Sequence, residues 1–280
     1  MAGSQGMMRS KFGASEMRLN MLDTFAPLEY PVTVYRDVWD VRQTAEYDTI
    51  ADLVESGRWP EALNFIGEHH YLINAARPRS RPLEADDADL VQDEAVKTLL
   101  WTPLHWAAVD DRAGIEVILK LLHFGSLKCL KTGLGETAHD IAVRMGRPAN
   151  IVTLLEEPDV VMENMKVIET VEAAVHRIIQ ERAGDRLRAT GAQLPQLAVL
   201  WEMSNECGES LLYPVYGMRG GFSLDLDHED NSVTVVGWSR GEGEHGGEVR
   251  HCIDREGGVK AITDILENLS VATEDVGVET

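Results

Sequence analysis

The sequence predicts an α+β protein: a short α-helical solenoid, then a long linking helix, then a small carboxy-terminal antiparallel β domain. Three observations predict it. Between Glu46 and Glu157 apolar residues recur at helical spacing, in paired segments punctuated by glycine. An unbroken helical stripe of Val161, Met165, Ile168, Val171, Val175 and Ile178 follows. Past residue 195 the period drops to two, with Phe222, Leu224 and Leu226 alternating with Ser223, Asp225 and Asp227.

Composition bounds the function classes. With 44% hydrophobic and 26% charged residues in 280, the chain is ordinary for a globular protein. A formal charge of -21, from 47 acidic and 26 basic residues, repels phosphate backbones and anionic headgroups. Nucleic acid is therefore not an expected partner. Apolar runs such as Ile115 to Leu122 are broken by Glu116 and Lys120, so no membrane insertion is expected. Near the start, Arg9, Lys11 and Arg18 are not followed by an apolar core and cleavage site, so no secretory signal is read, and Glu16 and Asp23 weigh mildly against a mitochondrial presequence. Three scattered cysteines, Cys129, Cys207 and Cys252, make no disulfide framework and point to a reducing, intracellular (cytoplasmic) compartment. No cofactor is expected.

Residues 1–45 lack a sustained period and read as a loosely ordered lead-in, with a short extended piece around Val32 to Tyr35. From Glu46, Ile50, Leu53 and Val54 define a helix up to Gly57, and Ala62, Leu63, Phe65 and Ile66 define a second helix running back. Residues 75–98 read as an inserted loop: Pro78 and Pro82 among Arg77, Arg79 and Arg81, then Glu84, Asp86, Asp87 and Asp89.

The next two helical pairs share an opening. Thr102-Pro103-Leu104-His105-Trp106-Ala107-Ala108 begins one, and Gly135-Glu136-Thr137-Ala138-His139-Asp140-Ile141-Ala142 begins the other, the two threonines 35 positions apart (137 minus 102). Thr102 suits an N-cap, Pro103 the first helical turn, and Gly125 and Gly135 turns of positive φ. Each opening leads to a second helix, Ile115 to Leu122 and Ile151 to Leu155. This pattern resembles the ankyrin repeat family over residues 46–157. The two extra residues fall in the long turn from Val109 to Gly114. Leu100 replaces the expected glycine, Ala138 the proline and Asp140 the histidine, so the last unit reads as a capping repeat, with Glu46 to Asn74 as the amino-terminal cap.

Residues 158–194 read as a long helix from about Val160 to Arg182 and a polar joint from Arg186 to Gln193. In the β domain, residues 195–270, strands are expected at Leu197-Val199-Trp201, Phe222 to Leu226, Val233 to Trp238 and Val249 to Ile253. Turns are expected at Gly208, Gly220-Gly221, Asp230-Asn231 and Gly246-Gly247, with a helix or strand from Val259 to Leu269 and an acidic tail over 271–280.

The resemblance implies a non-enzymatic adaptor that binds a protein partner of unknown identity. By the family pattern its contact positions are Leu99, Trp101, Val109 and Asp110 in one unit, and Leu134, Glu136, Arg144 and Met145 in the next. Trp101 either anchors a partner or packs on the inserted loop. His105 is expected to tie neighbouring loops, and Trp106 to sit in the core. Elsewhere, Asp225, Asp227, Glu229, Asp230 and Asn231 read as a solvated turn rather than a cation loop. Gly241 to Gly247 has no following Lys-Ser or Lys-Thr to hold phosphate. His245, His251, Cys207 and Cys252 are the His and Cys group open to chemistry, but His251 and Cys252 would point to opposite faces of a strand. The competing expectation is a ligand-binding or enzymatic β domain targeted by the repeats. Oligomerisation through the long helix is a third.

Overall fold

The computed structural model describes residues 28–31, 34–80, 100–203, 210–239 and 248–262. Expectations for residues 1–27, Leu99 and most of the inserted loop, Cys207, Gly208, Gly241 to Gly247 with His245, and everything beyond Ile262 lie outside them.

Six helices form three hairpins: α1 (Val41–Glu55) with α2 (Trp59–Glu68), α3 (Pro103–Val109) with α4 (Ile115–His123), and α5 (Ala138–Arg144) with α6 (Ala149–Leu155). They stack in two layers, α1, α3 and α5 in one row and α2, α4 and α6 in the other. One core runs through the stack, with Ile66, Leu72, Leu104, Ile118, Leu121, Ile141 and Leu155 fully buried. Ala107, Ala108 and Ala142 lie between neighbouring helices with no exposed surface, the close approach that their small side chains allow.

The long helix α7 runs over Asp159–Thr190 and ends on Gly191 in the left-handed conformation. It therefore takes in much of the stretch from Arg186 onward that the sequence suggested was a joint. A short helix α8 (Ala198–Met203) follows, where alternating strand was expected. The reason is local: Leu197, Ala198, Val199, Leu200, Trp201 and Met203 are all buried, so the apolar run carries no period that separates strand from helix.

Five antiparallel strands follow among the described residues: β2 (Ser210–Val215), β3 (Gly220–Asp227), β4 (Ser232–Ser239), β5 (Val249–Ile253) and β6 (Val259–Ile262). Gly220 and Gly221 lie inside β3 and pair with β4, so the turn falls earlier, at residues 216–219. The strand at the opposite edge, β1 (Leu28–Glu29), comes from the amino-terminal segment and pairs in parallel with Leu211 and Leu212 of β2. That segment is not a loose lead-in where it is described. Tyr30, Val34 and Trp39 are buried in the same core as α7, α8 and the sheet, and helix α1 starts at Val41, capped by Asp40, five residues earlier than the apolar pattern suggested.

The apolar stripe of α7, from Val161 through Ile168, Val175 and Ile179 to Leu187, packs on α8 and on the inner face of the sheet. That stripe is buried within the chain. No helix among the described residues is long and apolar enough to cross a membrane.

Candidate interaction surface

The geometry of the stack follows from two matched helix starts. Thr137 and Asp140 form a capping box: the Thr137 hydroxyl accepts from the Asp140 N–H at 3.2 Å, and the Asp140 carboxylate accepts from the Thr137 N–H at 3.0 Å. At the equivalent start the Thr102 N–H donates to Nδ1 of His105 at 3.1 Å. Nδ1 is thus an acceptor, so the proton sits on Nε2, which donates to the carbonyl of Leu130 at 3.0 Å. Burial holds the His105 imidazole neutral, lowering its pKa to about 4 against the opposing pull of the Leu130 carbonyl. His105 therefore does two things, capping its own helix and tying the next inter-hairpin loop. Asp140 does only the first, which suffices where no further hairpin follows.

A second ladder runs along the intra-hairpin turns. Trp59 Nε1 donates to Asp110 at 2.8 Å, and Arg112 bonds both Asp110 and the Ser56 carbonyl. On the other side the buried Arg147 guanidinium donates to Asp111 and to the Ala113 carbonyl. The two extra residues of the turn over 109–114 thus reach both neighbouring turns. Burial raises the Asp110 pKa, but hydrogen bonds from Arg112 and Trp59 outweigh it and hold the carboxyl below its ordinary value.

The inter-hairpin loop after α4 is partly committed inside the molecule. Leu127, Cys129 and Leu130 are buried in the core of the sheet module, and Glu202 of α8 accepts the N–H groups of Lys128 and Cys129 at 2.8 and 2.9 Å. Gln196 brackets Lys131 through both its N–H and its carbonyl. Burial pushes the Glu202 carboxyl up despite these donors, and pushes the Cys129 thiol up beside it.

The contact positions expected from sequence divide accordingly. Val109 is half-buried against the stack core, and Asp110 belongs to the turn ladder. Trp101 is half-buried with its ring 4.7 Å from that of Trp106, and its Nε1 is buried without a hydrogen-bond partner. The remaining four lie on the last hairpin and the turn before it, where Arg144 contacts both Glu136 and Met145. Glu136 and Arg144 pair through two bonds of 2.8 and 3.2 Å, beside Leu134 and Met145, which are 54% and 45% exposed. Val143 joins them at 53% exposure and was missed. The signal was present: Val143 stands where the other unit has Ala108, which is fully buried because another hairpin covers it.

On the sheet, His251 points to the inner face between β4 and β6, and Nδ1 is buried without a partner. No group of three or more His, Cys, Asp or Glu that could hold a metal ion occurs among the described residues. Asp227 and Asp230 cap the turn over 228–231 by accepting backbone N–H groups of Glu229 and Ser232. A small cavity of about 10 Å³ lies where Tyr30, Asn74, Leu100, Thr102, Leu130 and Gln196 meet, room for about one water.

No protein-family model, no curated protein and no solved structure matches this chain.

Proposed function

We propose that the three hairpins are ankyrin-type repeats and that the chain is a non-enzymatic adaptor, capturing a protein partner at the free end of the stack. The observation that carries this reading is the exposed apolar trio of Leu134, Val143 and Met145 around the Glu136–Arg144 ion pair. A monomer surface scatters such residues singly, whereas three together beside an orienting ion pair suit a partner-binding patch. The repeat reading draws support from the equal offsets of Thr102–His105 and Thr137–Asp140 and from the two-row stack. Because Asp110 and the loop over 127–131 are occupied internally, the partner's contact area centres on α5 and the turn before it.

This reading is favoured over a catalytic or ligand-binding sheet because the inner face of the sheet is filled. Leu211, Tyr213, Phe222, Leu224, Val233 and Val235 are all buried against α7 and its neighbours.

The test is site-specific photocrosslinking in cells that express the chain natively. A photoreactive residue at Leu134 or Val143 is expected to label a defined partner, and Leu119, exposed on the opposite row of helices, is expected not to. Glu136→Arg should weaken capture at least tenfold while leaving the circular dichroism spectrum unchanged. Equal labelling from Leu119, or unchanged capture by Glu136→Arg, would sink the assignment.

A further inference from the structure

The chain carries a formal charge of -21, and its described arginines are mostly matched: Arg36, Arg77, Arg112, Arg144 and Arg147 each meet a carboxylate. Arg186 and Arg219 do not. Both are exposed, and neither side chain makes a hydrogen bond or ion pair among the described residues. They meet at one end of the sheet. Arg186, near the end of α7, brings Nη1 to 3.9 Å from the point where a Cβ on Gly217 would stand. Arg219 lies two residues on in the same turn between β2 and β3, its Cα no more than about 7 Å away.

The turn is built on left-handed residues. The Met218 N–H donates to the Val215 carbonyl at 3.1 Å with Gly217 at φ 80°, the form of a type II turn, and Arg219 follows at φ 48°. An arginine is strained where glycine would be relaxed, and strain of this kind is kept where a position presents a group to a ligand. The N–H groups of Gly217 and Arg219 have no acceptor among the described residues, so two backbone donors and two guanidinium groups are gathered at one turn. No described carboxylate competes for them. β2, the turn and β4 contain none, Asp225 and Asp227 stand at the far end of β3, and the nearby Asp185 and Glu248 are taken by Arg188 and Arg250.

We propose that the turn over 216–219, with Arg186 beside it, is a binding site for a phosphoryl group. Two guanidinium charges are neutralised by one phosphoryl group of about two negative charges, not by one carboxylate, and its three oxygens suit donors arriving from both helix and turn. Inorganic phosphate and a phosphorylated side chain share this chemistry. The site is exposed, so inorganic phosphate alone is expected to bind with a dissociation constant on the order of 1 mM at low salt, weakening as salt rises.

Nuclear magnetic resonance of the full chain with isotope-labelled glycine and arginine tests it. The titrants are inorganic phosphate, a phosphoserine peptide otherwise of glycine and alanine, and sodium chloride at matched ionic strength. The Gly217 and Arg219 amide signals are expected to shift saturably with phosphate or peptide and not with chloride. Tighter binding of the peptide assigns the site to a phosphorylated partner, and binding no tighter than that of phosphate assigns it to the free ion. Arg186→Gln should weaken binding, read at Gly217, by about fivefold or more. Arg219→Gly should do the same yet unfold at no lower temperature than the parent, since glycine is relaxed in the left-handed conformation, which separates loss of the site from loss of the fold. Shifts that chloride reproduces, or that survive both substitutions, would overturn the proposal. So would an unmoved Gly217 signal up to about 20 mM phosphate.

Discussion

Leu100 and Gly135, 35 positions apart, hold the same left-handed backbone, with φ of 63° and 80°. Each sits two residues before the capping threonine of its unit, so the turn demands the conformation and only one unit supplies the residue suited to it. A left-handed leucine costs about 1–2 kcal/mol. Gly135→Ala is therefore expected to lose about 1 kcal/mol although open space surrounds its Cβ position. Leu100→Gly should lose nothing, and gain up to about 1 kcal/mol, despite deleting a half-buried side chain. Urea denaturation of the two variants checks both signs; a destabilised Leu100→Gly would show that its contacts outweigh the backbone.

His105 makes stability depend on pH. Its pKa falls from 6.5 to about 4 on folding, so the unfolded chain binds the extra proton. The contribution is complete above pH 6.5 and disappears as pH falls towards 4, a change on the order of 3 kcal/mol. Glu202 acts in the opposite sense, because its raised pKa favours the folded state as pH falls through its own range. The comparison must therefore be between parent and His105→Gln, in which the Glu202 contribution cancels. Denaturation at pH 7 and pH 4.5 should show the variant about 2 kcal/mol worse at pH 7 and much closer to the parent at pH 4.5. A constant difference would contradict the buried neutral imidazole.

How far the sequence reached depended on whether a pattern was local. Thr102 was legible as an N-cap from its own residue type, and it caps α3, with a capping box to His105 that Thr137 and Asp140 match at α5. The spacing of Val161, Ile168 and Val175 marked α7 because a charged face gave the stripe contrast. Leu197 to Met203 had no such contrast, and its helix was misread as strand. The parallel pairing of Leu28 with Leu211 joins distant parts of the chain through backbone hydrogen bonds, which leave no side-chain signature. At the candidate surface, Leu134 and Met145 follow from the repeat pattern, whereas Val143 depends on which hairpin is last. That is a fact of the assembled stack, legible only by setting the two units side by side.

The turn ladder predicts that Asp110 contributes to stability before it contributes to recognition. Removing its carboxylate strands the Trp59 Nε1 donor and releases Arg112 from its anchor. Asp110→Ala is expected to cost about 1–3 kcal/mol by chemical denaturation. Asp110→Asn, which keeps an acceptor for Trp59, should cost less than half as much. If both variants are as stable as the parent, the ladder carries no net energy and Asp110 returns to the list of free contact positions.

The junction of the two modules gives the last prediction. Gly191 ends α7 at φ 67°, and a Cβ there would lie 2.6 Å from the ring of Tyr35. The guanidinium of Arg79 lies over that ring, 5.3 Å from its centroid, and donates to the Gly191 carbonyl. The backbone around the ring is fastened by the Tyr35–Thr190 and Arg36–Arg79 bonds of the amino-terminal segment. Gly191→Ala should therefore cost more than the roughly 1 kcal/mol expected for Gly135→Ala, on the order of 3 kcal/mol, because steric and conformational penalties add. Hydrogen exchange locates the damage: faster exchange is expected at Tyr35 and Arg36 N–H groups, with Asp140 and Ile141 in the far hairpin unchanged. Uniformly faster exchange would mean instead that stack and sheet unfold as one unit, with the junction as their common weak point.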